Sequence, residues 1–341
     1  MIKIGIIGWR GLVGSVLINR LKNSFINKYS NFYLFSTKKI FFNYNIYNAF
    51  DIKLLYNMDI IISCQGSEYT KIILKKILLL NWKGYWIDAS SYLRMYNECE
   101  LILDPINKKS ILNNIKKKKI FSGVNCTVSL MLILLKKLIK IDIIDWIANS
   151  SYQAVSGAGS YLINKLIKNI KNSNNLENDL IKIEKNNKIN FFKENPLLFN
   201  AIPWIDKKVN FSQTKEEWKS QSEANKILKK NIKIDSNCVR ISSLRCHSQY
   251  FILKLKKNIN LNDFYYLLNN DFIKIIKNNE KYVNNLTPYN ISGSLDIFVG
   301  RIKKSTFNNK IFTMFSIGDQ LLWGAAEPLK RFLEILIQNL I

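Results

Sequence analysis

One histidine, His247, is all that a chain of 341 residues contains. Cysteine is sparse too. Cys64, Cys99, Cys126, Cys238 and Cys246 are an odd number without regular spacing. Such a set excludes a disulfide framework and a zinc site, so reduced thiols in a cytoplasm are expected, and no metal centre. Long apolar runs are missing as well. The central run, Val128 to Leu135, stops at Lys136 and Lys137, far short of the ~20 residues a membrane span needs. The first residues, MIKIGIIGWRG, carry glycines inside the apolar stretch and read as a strand entering a turn, not as a secretory signal. Acidic residues are scarce, 25 against 51 Lys plus Arg, for a formal charge of +26. That excess does not indicate nucleic acid as a partner. It runs through the whole chain together with Ile and Asn, as in KKNIKI and NNLENDLIKIEKNNKIN. These three residue types share A/T-rich codons, whereas a binding face concentrates Lys and Arg in one patch.

What is present fills two cores. Hydrophobic residues make up 48% and aromatic residues 12% of a chain long enough for two domains. Short apolar strands are predicted at Lys3–Ile7, Phe32–Phe35, Met58–Ser63 and Gly84–Ile87, alternating with helical stretches such as Ser15–Leu21. That alternation implies parallel βαβ units with a ligand crevice at the strand C-terminal ends. From about Cys126 the character changes, and Ile144–Ala154 and Cys238–Lys257 read as longer strands of a separate sheet. Between them, Asn169–Asn190 reads as exposed helix and loop. The last segment repeats Leu322, Ala325, Leu329, Phe332, Leu333 and Leu336 at helical spacing, which gives an amphipathic closing helix kinked at Pro328. The expected fold is therefore α/β. A Rossmann-type domain spans 1–124 with 326–341 returning to it, and an α+β catalytic and dimerisation domain spans 125–325.

Two local patterns carry chemistry. Gly8, Gly11 and Gly14 follow a strand and precede a helix, the setting of a dinucleotide-binding turn. The second strand ends in Ser36, Thr37, Lys38 and Lys39, with Arg10 on the neighbouring loop. Enzymes using NAD place an acidic residue there, whereas hydroxyls and cations suit a 2′-phosphate, so NADP is expected. The second pattern is GVNCTVSLML, which sets Cys126 just inside an apolar helix capped by Asn125. The helix N-terminus favours the thiolate of such a cysteine. His247 is the side chain suited to move its proton.

The blocks GWRGLVGSVL, FSTKK, DIIISCQGSEYT, GYWIDASSYLRM, ILDPIN, GVNCTVSLML, YQAVSGAG, IPWIDK, EEWKSQSEANKIL, CVRISSLRCHSQ and GDQLLWGAAEPL span nearly the whole chain. In that order they resemble bacterial aspartate-β-semialdehyde dehydrogenases. The resemblance implies a homodimer with a glyceraldehyde-3-phosphate-dehydrogenase-like arrangement. It also implies an NADP-dependent step feeding lysine, threonine and methionine synthesis, in which aspartyl phosphate becomes aspartate semialdehyde and phosphate. Cys126 matches the thioester nucleophile, His247 the acid/base and Gln153 the residue orienting substrate. Arg240 matches the holder of the substrate carboxylate, and Glu216 the partner of its amino group, with Glu217 as rival. Arg94, Lys219 and Asn125 match the phosphate-site residues. Arg10, Gly11, Leu12, Val13, Ser36, Thr37, Gln65, Ser156, Gly157 and Gln320 match cofactor contacts. Two departures stand out: Asn169–Asn190 lacks a proline-bearing cofactor contact, and the YQAVSGAG block continues as SYLINK.

These roles carry a geometric condition. Arg240 and His247 are seven positions apart, which on one straight strand means opposite faces and roughly 23 Å at ~3.3 Å per residue. A break near Ser242-Ser243 is therefore predicted. Competing readings are an N-acyl-glutamyl-phosphate-type reductase, which needs no anchor for a free amino group, a cofactor-free cysteine hydrolase, and a basic binding module.

Overall fold

Isoleucine runs with no polar alternation build the first sheet. β1 (Ile2–Ile7), β4 (Ile60–Ser63) and β5 (Tyr85–Asp88) are buried along almost their whole length, as strands covered on both faces must be. They are joined by β2 (Ser30–Ser36), β3 (Ile46–Asn48), β6 (Cys99–Ile102) and β7 (Ile120–Gly123). The order is β3-β2-β1-β4-β5-β7-β6 and each neighbouring pair is parallel. The computed structural model describes residues 1–38, 46–172 and 197–341. Lys39 and most of the Asn169–Asn190 segment thus lie outside the described residues, and Asn169 itself ends up inside a helix, Ser160–Asn172.

The second sheet is mixed. β8 (Ile144–Gln153) lies inside it, flanked by β10 (Lys233–Ile241), which runs parallel to it, and β11 (His247–Leu255), which runs antiparallel. β14 (Ile311–Gly318), β13 (Ile297–Lys304), β12 (Ile273–Ile275) and β9 (Ala201–Ile202) complete the order β12-β13-β14-β11-β8-β10-β9. In β8 and β11 buried and part-exposed residues alternate, so one face packs on a core and the other does not. The core face receives the Cys126–Leu134 helix, in which every residue from Thr127 to Leu134 is buried. A helix apolar on all sides has to be.

The long strand expected over Cys238–Lys257 is two strands. β10 ends at Ile241 and β11 begins at His247, and the chain crosses from one side of β8 to the other. The break falls where the spacing of Arg240 and His247 requires it. Cys246 takes a left-handed backbone, φ +70°, immediately before the histidine.

Pro328 does not kink the closing helix. A π-turn, Leu322–Ala326, comes first, and Pro328 sits in the opening turn of Glu327–Leu340, where its missing N–H costs nothing. That helix packs on the first sheet through Leu329, Phe332, Leu333 and Leu336, with the Phe332 ring 4.3 Å from that of Phe121. Burial of each such side chain stabilises by about 1.5–3 kcal/mol. Arg331 adds a two-point pairing to Asp104, at 2.7 and 2.5 Å. The fold is thus a Rossmann-type parallel sheet and a second mixed-sheet unit, with the C-terminal helix returned to the first.

Candidate active site

Parallel strands bring their C-terminal ends to one edge. The turn after β1, the loop after β4 and the segment after β7 all leave the sheet there. β7 ends at Gly123, and the Cys126–Leu134 helix starts three residues later. On the second sheet Arg240 pairs with Gln153. Ser248 pairs with Tyr152, which puts His247 level with Gln153 from the other side. Three chain segments distant in sequence therefore meet around the sulfur.

Cys126 Sγ lies 3.2 Å from His247 Nε2. The other ring nitrogen, Nδ1, accepts the Ala154 N–H at 3.1 Å. An acceptor at Nδ1 places the ring proton on Nε2, facing the sulfur. Burial, with Arg240 second, pushes the imidazole pKa down to about 3. Burial, with Glu216 second, pushes the Cys126 thiol up to about 12, against the pull of Arg94, Arg240 and Lys219. Here the thiolate expected from the helix N-terminus is overruled. A dipole end is worth about 0.3–1 kcal/mol at exposed sites, less than the cost of holding a charge among buried groups. Both shifts favour the neutral thiol and the neutral imidazole, and the Ala154 contact favours a ring proton on the nitrogen facing the sulfur.

Asn125 caps the nucleophile's helix, its Oδ1 accepting from the Thr127 N–H at 3.0 Å. Its Nδ2 donates to Glu216 Oε1 at 2.9 Å, as does Gln153 Nε2 at 3.2 Å. Lys219 Nζ lies 2.9 Å from Glu216 Oε2 and 2.9 Å from Asp206 Oδ2. Burial alone would raise the Glu216 pKa, but Lys219 and the hydrogen bonds from Asn125 and Gln153 bring it down to about 2. Arg240 Nη1 donates to Ala154 O at 2.6 Å. Glu216, Lys219, Asp206 and Arg240 line a cavity of ≈ 580 Å³ together with Trp204 and Leu162. Glu217 points elsewhere. It closes the capping box with Thr214, accepting the Thr214 N–H at 2.7 Å, so of the two carboxylates Glu216 is the one in the site.

The glycine turn fits a dinucleotide. Gly8 holds φ +75°, and a Cβ there would sit 2.8 Å from the Cys64 carbonyl. A Cβ on Gly14 would sit 2.3 Å from Gly8 O. Gly11 opens the Leu12–Leu21 helix with no side-chain cap, so among the described residues no capping side chain takes up that helix's first N–H groups. Leu12 and Val13 form its first turn, half-buried, and Gln65 is exposed on the loop that Gly8 abuts. Arg10 Nη2 donates to Ser36 Oγ at 2.8 Å, and Thr37 follows, half-buried. Ser156, Gly157 and Gln320 lie beside His247. A Cβ on Gly157 would come within 3.1 Å of the imidazole Cε1. Gln320 accepts the Cys246 N–H at 2.7 Å and donates to the Ser156 hydroxyl, tying both loops that flank the histidine. Arg245, next to His247, forms an ion pair with the buried Asp319 at 2.7 Å.

Arg94 is buried against Glu223, at 3.1 Å, and its Nε has no hydrogen-bond partner among the described residues. Three residues of this site carry no sequence signal of their own: Glu223, Asp206 and Gly324. Glu223 could have been found by helical spacing, four residues after Lys219 and seven after Glu216. A Cβ on Gly324 would lie 2.4 Å from Cys126 Cβ, a contact nothing in the sequence marks.

A nucleotide-type parallel sheet whose edge carries a cysteine, faced by a histidine from a second sheet, is the framework of a dehydrogenase. Comparison with known proteins agrees. The model for the semialdehyde dehydrogenase NAD binding domain matches residues 3–114, and that for the semialdehyde dehydrogenase dimerisation domain matches residues 135–323. The aspartate semialdehyde dehydrogenase structure from Francisella tularensis is 40% identical over 99% of this chain and 100% of its own, with a TM-score of 0.91. Aspartate semialdehyde dehydrogenase II from Vibrio cholerae, complexed with ASA, shares the fold at 21% identity, covering 100% and 99%, with a TM-score of 0.79. The Candida albicans enzyme with NADP shares it at 16% identity, covering 100% of each chain, with a TM-score of 0.69. The chain belongs to the aspartate semialdehyde dehydrogenase family and is an oxidoreductase.

Proposed function

We propose that the chain reversibly converts L-4-aspartyl phosphate to L-aspartate 4-semialdehyde and phosphate with NADPH, through a thioester on Cys126. The observation that carries this reading is the 3.2 Å approach of Cys126 Sγ to His247 Nε2 beside a wall of Arg240, Glu216 and Lys219. In the aldehyde-oxidising direction the sulfur adds to the carbonyl, and phosphate later cleaves the thioester. Covalent attachment divides one hard step into two. NADP would be held at Gly8–Gly14, with Arg10 and Ser36 suited to its 2′-phosphate, and would supply the hydride acceptor in this direction. Leu12, Val13, Thr37, Gln65, Ser156, Gly157 and Gln320 would complete its contacts.

His247 serves as acid and base. When the ring proton moves to Nδ1 and the Ala154 contact is released, Nε2 takes the Cys126 thiol proton as the sulfur adds to the carbonyl. The resulting Nε2–H then hydrogen-bonds the carbonyl oxygen. Arg240 suits the substrate carboxylate through its planar fork. Glu216, held ionised, takes the substrate ammonium, an interaction that an N-acylated substrate of the alternative reductase could not make. Gln153 orients the acyl group through its bond to Glu216. Arg94, Lys219 and Asn125 take the phosphate.

The dimerisation-domain match supports a homodimer, and the part-exposed face of the second sheet, with Tyr152 and Phe315 6.4 Å apart, offers a surface for it. Residues 1–124 with 326–341 act as the NADP-binding domain and 125–325 as the catalytic and dimerisation domain. No described helix is long and apolar enough to cross a membrane. The five unpaired thiols fit a reducing compartment such as the cytoplasm, and membership of the family supports a part in lysine, threonine and methionine synthesis. The test is phosphate-dependent NADP reduction with aspartate semialdehyde. Wild type is expected to be active, and Cys126→Ala and His247→Ala inactive or nearly so. Full activity in Cys126→Ala rejects the reading.

A further inference from the structure

We propose that Glu223 is a positioning residue that couples the anion-holding Arg94 to the cap of the nucleophile's helix. The inference rests on the reading of Cys126 as nucleophile and Arg94 as phosphate holder, but it adds a residue to which that reading gives no part.

The Lys215–Leu228 helix buries Glu216, Lys219 and Glu223 on one face, as the spacing of three and four residues dictates. Glu223 is 1% exposed. Its Oε2 accepts the Asn125 backbone N–H at 2.7 Å, while its Oε1 accepts Arg94 Nη1 at 3.1 Å. Glu216, two turns earlier on the same face, holds the Asn125 side chain. Asn125 is therefore gripped at its backbone by one carboxylate and at its side chain by another, both from a single helix, immediately before Cys126.

The same carboxylate fixes the guanidinium. Arg94 spends Nη1 on Glu223 and reaches Ala89 O with Nη2 at 3.4 Å, leaving a buried Nε without a partner among the described residues. A buried unpaired donor is costly, and an incoming anion would satisfy it. Movement of Arg94 on binding phosphate passes directly to Asn125 through Glu223, because the two oxygens belong to one rigid group. A shift of about 1 Å in a nucleophile can cost on the order of 10²-fold in rate.

The experiment compares full-length wild type, Glu223→Ala, Glu223→Gln and Glu223→Asp. Three readouts are taken: iodoacetamide alkylation of Cys126 with and without inorganic phosphate, kcat with phosphate KM, and the thermal midpoint. Glu223→Gln keeps an acceptor for the Asn125 N–H but loses the charge against Arg94. Its phosphate KM is expected to rise roughly tenfold with kcat within about threefold. Glu223→Ala removes both links, so kcat is expected to fall by roughly 10–10² and the alkylation rate to change severalfold. Glu223→Asp should restore part of each. Alkylation needs neither substrate nor cofactor, so it judges the positioning claim even if the reaction assignment fails. Variants that lower only the thermal midpoint, with alkylation, kcat and phosphate KM within about twofold of wild type, overturn the proposal. If Glu223→Ala does not fold, an unchanged phosphate KM in Glu223→Gln does the same.

Discussion

His247 donates toward Cys126 from Nε2, at 3.2 Å, because its Nδ1 is already committed to the Ala154 N–H. That single backbone contact decides which nitrogen carries the proton. It leaves a thiol whose pKa is raised to about 12 facing an imidazole lowered to about 3. Between those values neither group changes charge in the free protein. Alkylation of Cys126 should therefore rise about tenfold per pH unit across pH 6–9, without a plateau. A plateau beginning near pH 6 or 7 would mean a thiolate–imidazolium pair instead, and the tautomer assignment would be wrong.

Acid stability follows from the same burial. The folded-state pKa of His247, about 3, lies below its ordinary 6.5. Unfolded chains thus bind the extra proton first as pH falls. The stability held by the neutral ring is complete above pH 6.5 and is lost progressively from there toward pH 3. Glu216, lowered from 4.5 to about 2, adds a second loss that starts below pH 4.5. Urea unfolding at pH 7, 5.5 and 4 should show falling midpoints, with His247→Gln flattening the portion between pH 6.5 and 4.5. An identical slope in that variant would contradict the assignment.

Gly324 has no room for a side chain. A Cβ there would lie 2.4 Å from Cys126 Cβ and 2.7 Å from Cys126 Cα, and Gly324 sits inside the π-turn. Gly324→Ala must push the nucleophile aside. The expected result is a loss of kcat of about 10²-fold and a destabilisation of about 1–3 kcal/mol, read by steady-state kinetics and thermal unfolding. Wild-type kcat in this variant would show that Cys126 tolerates displacement.

In the proposed reading cofactor choice rests on Ser36, whose hydroxyl accepts from Arg10 at 2.8 Å. Ser36→Asp places a carboxylate where a 2′-phosphate would sit and pairs Arg10 internally. The NADP KM should rise at least about tenfold while NAD use improves. Unchanged discrimination between the two nucleotides would move the 2′-phosphate site elsewhere.

Local features were legible in the sequence and long-range ones were not. The glycine turn could be read because one strand, one turn and one helix specify it within about a dozen residues. The break between Arg240 and His247 followed from the period of two along a strand, and it lies at Ser242–Cys246. Pro328 misled because a proline in a helical pattern is a kink only in the interior, and the π-turn ahead of it makes it a first-turn residue. The protonation of Cys126 was misjudged for another reason. A helix end is visible in NCTVS, but the burial that outweighs it comes from segments about a hundred residues away. Glu223 escaped similarly, since its partners Asn125 and Arg94 are 98 and 129 positions distant.

The most direct measurement is single-turnover reduction of NADP by aspartate semialdehyde without phosphate, followed by mass analysis of the Cys126 peptide. One NADPH per active site, an acyl group retained on that peptide and its release on adding phosphate are expected, with no acylation in Cys126→Ser. NADPH formed in full with the sulfur unmodified, or acyl transfer persisting in Cys126→Ser, would contradict the account.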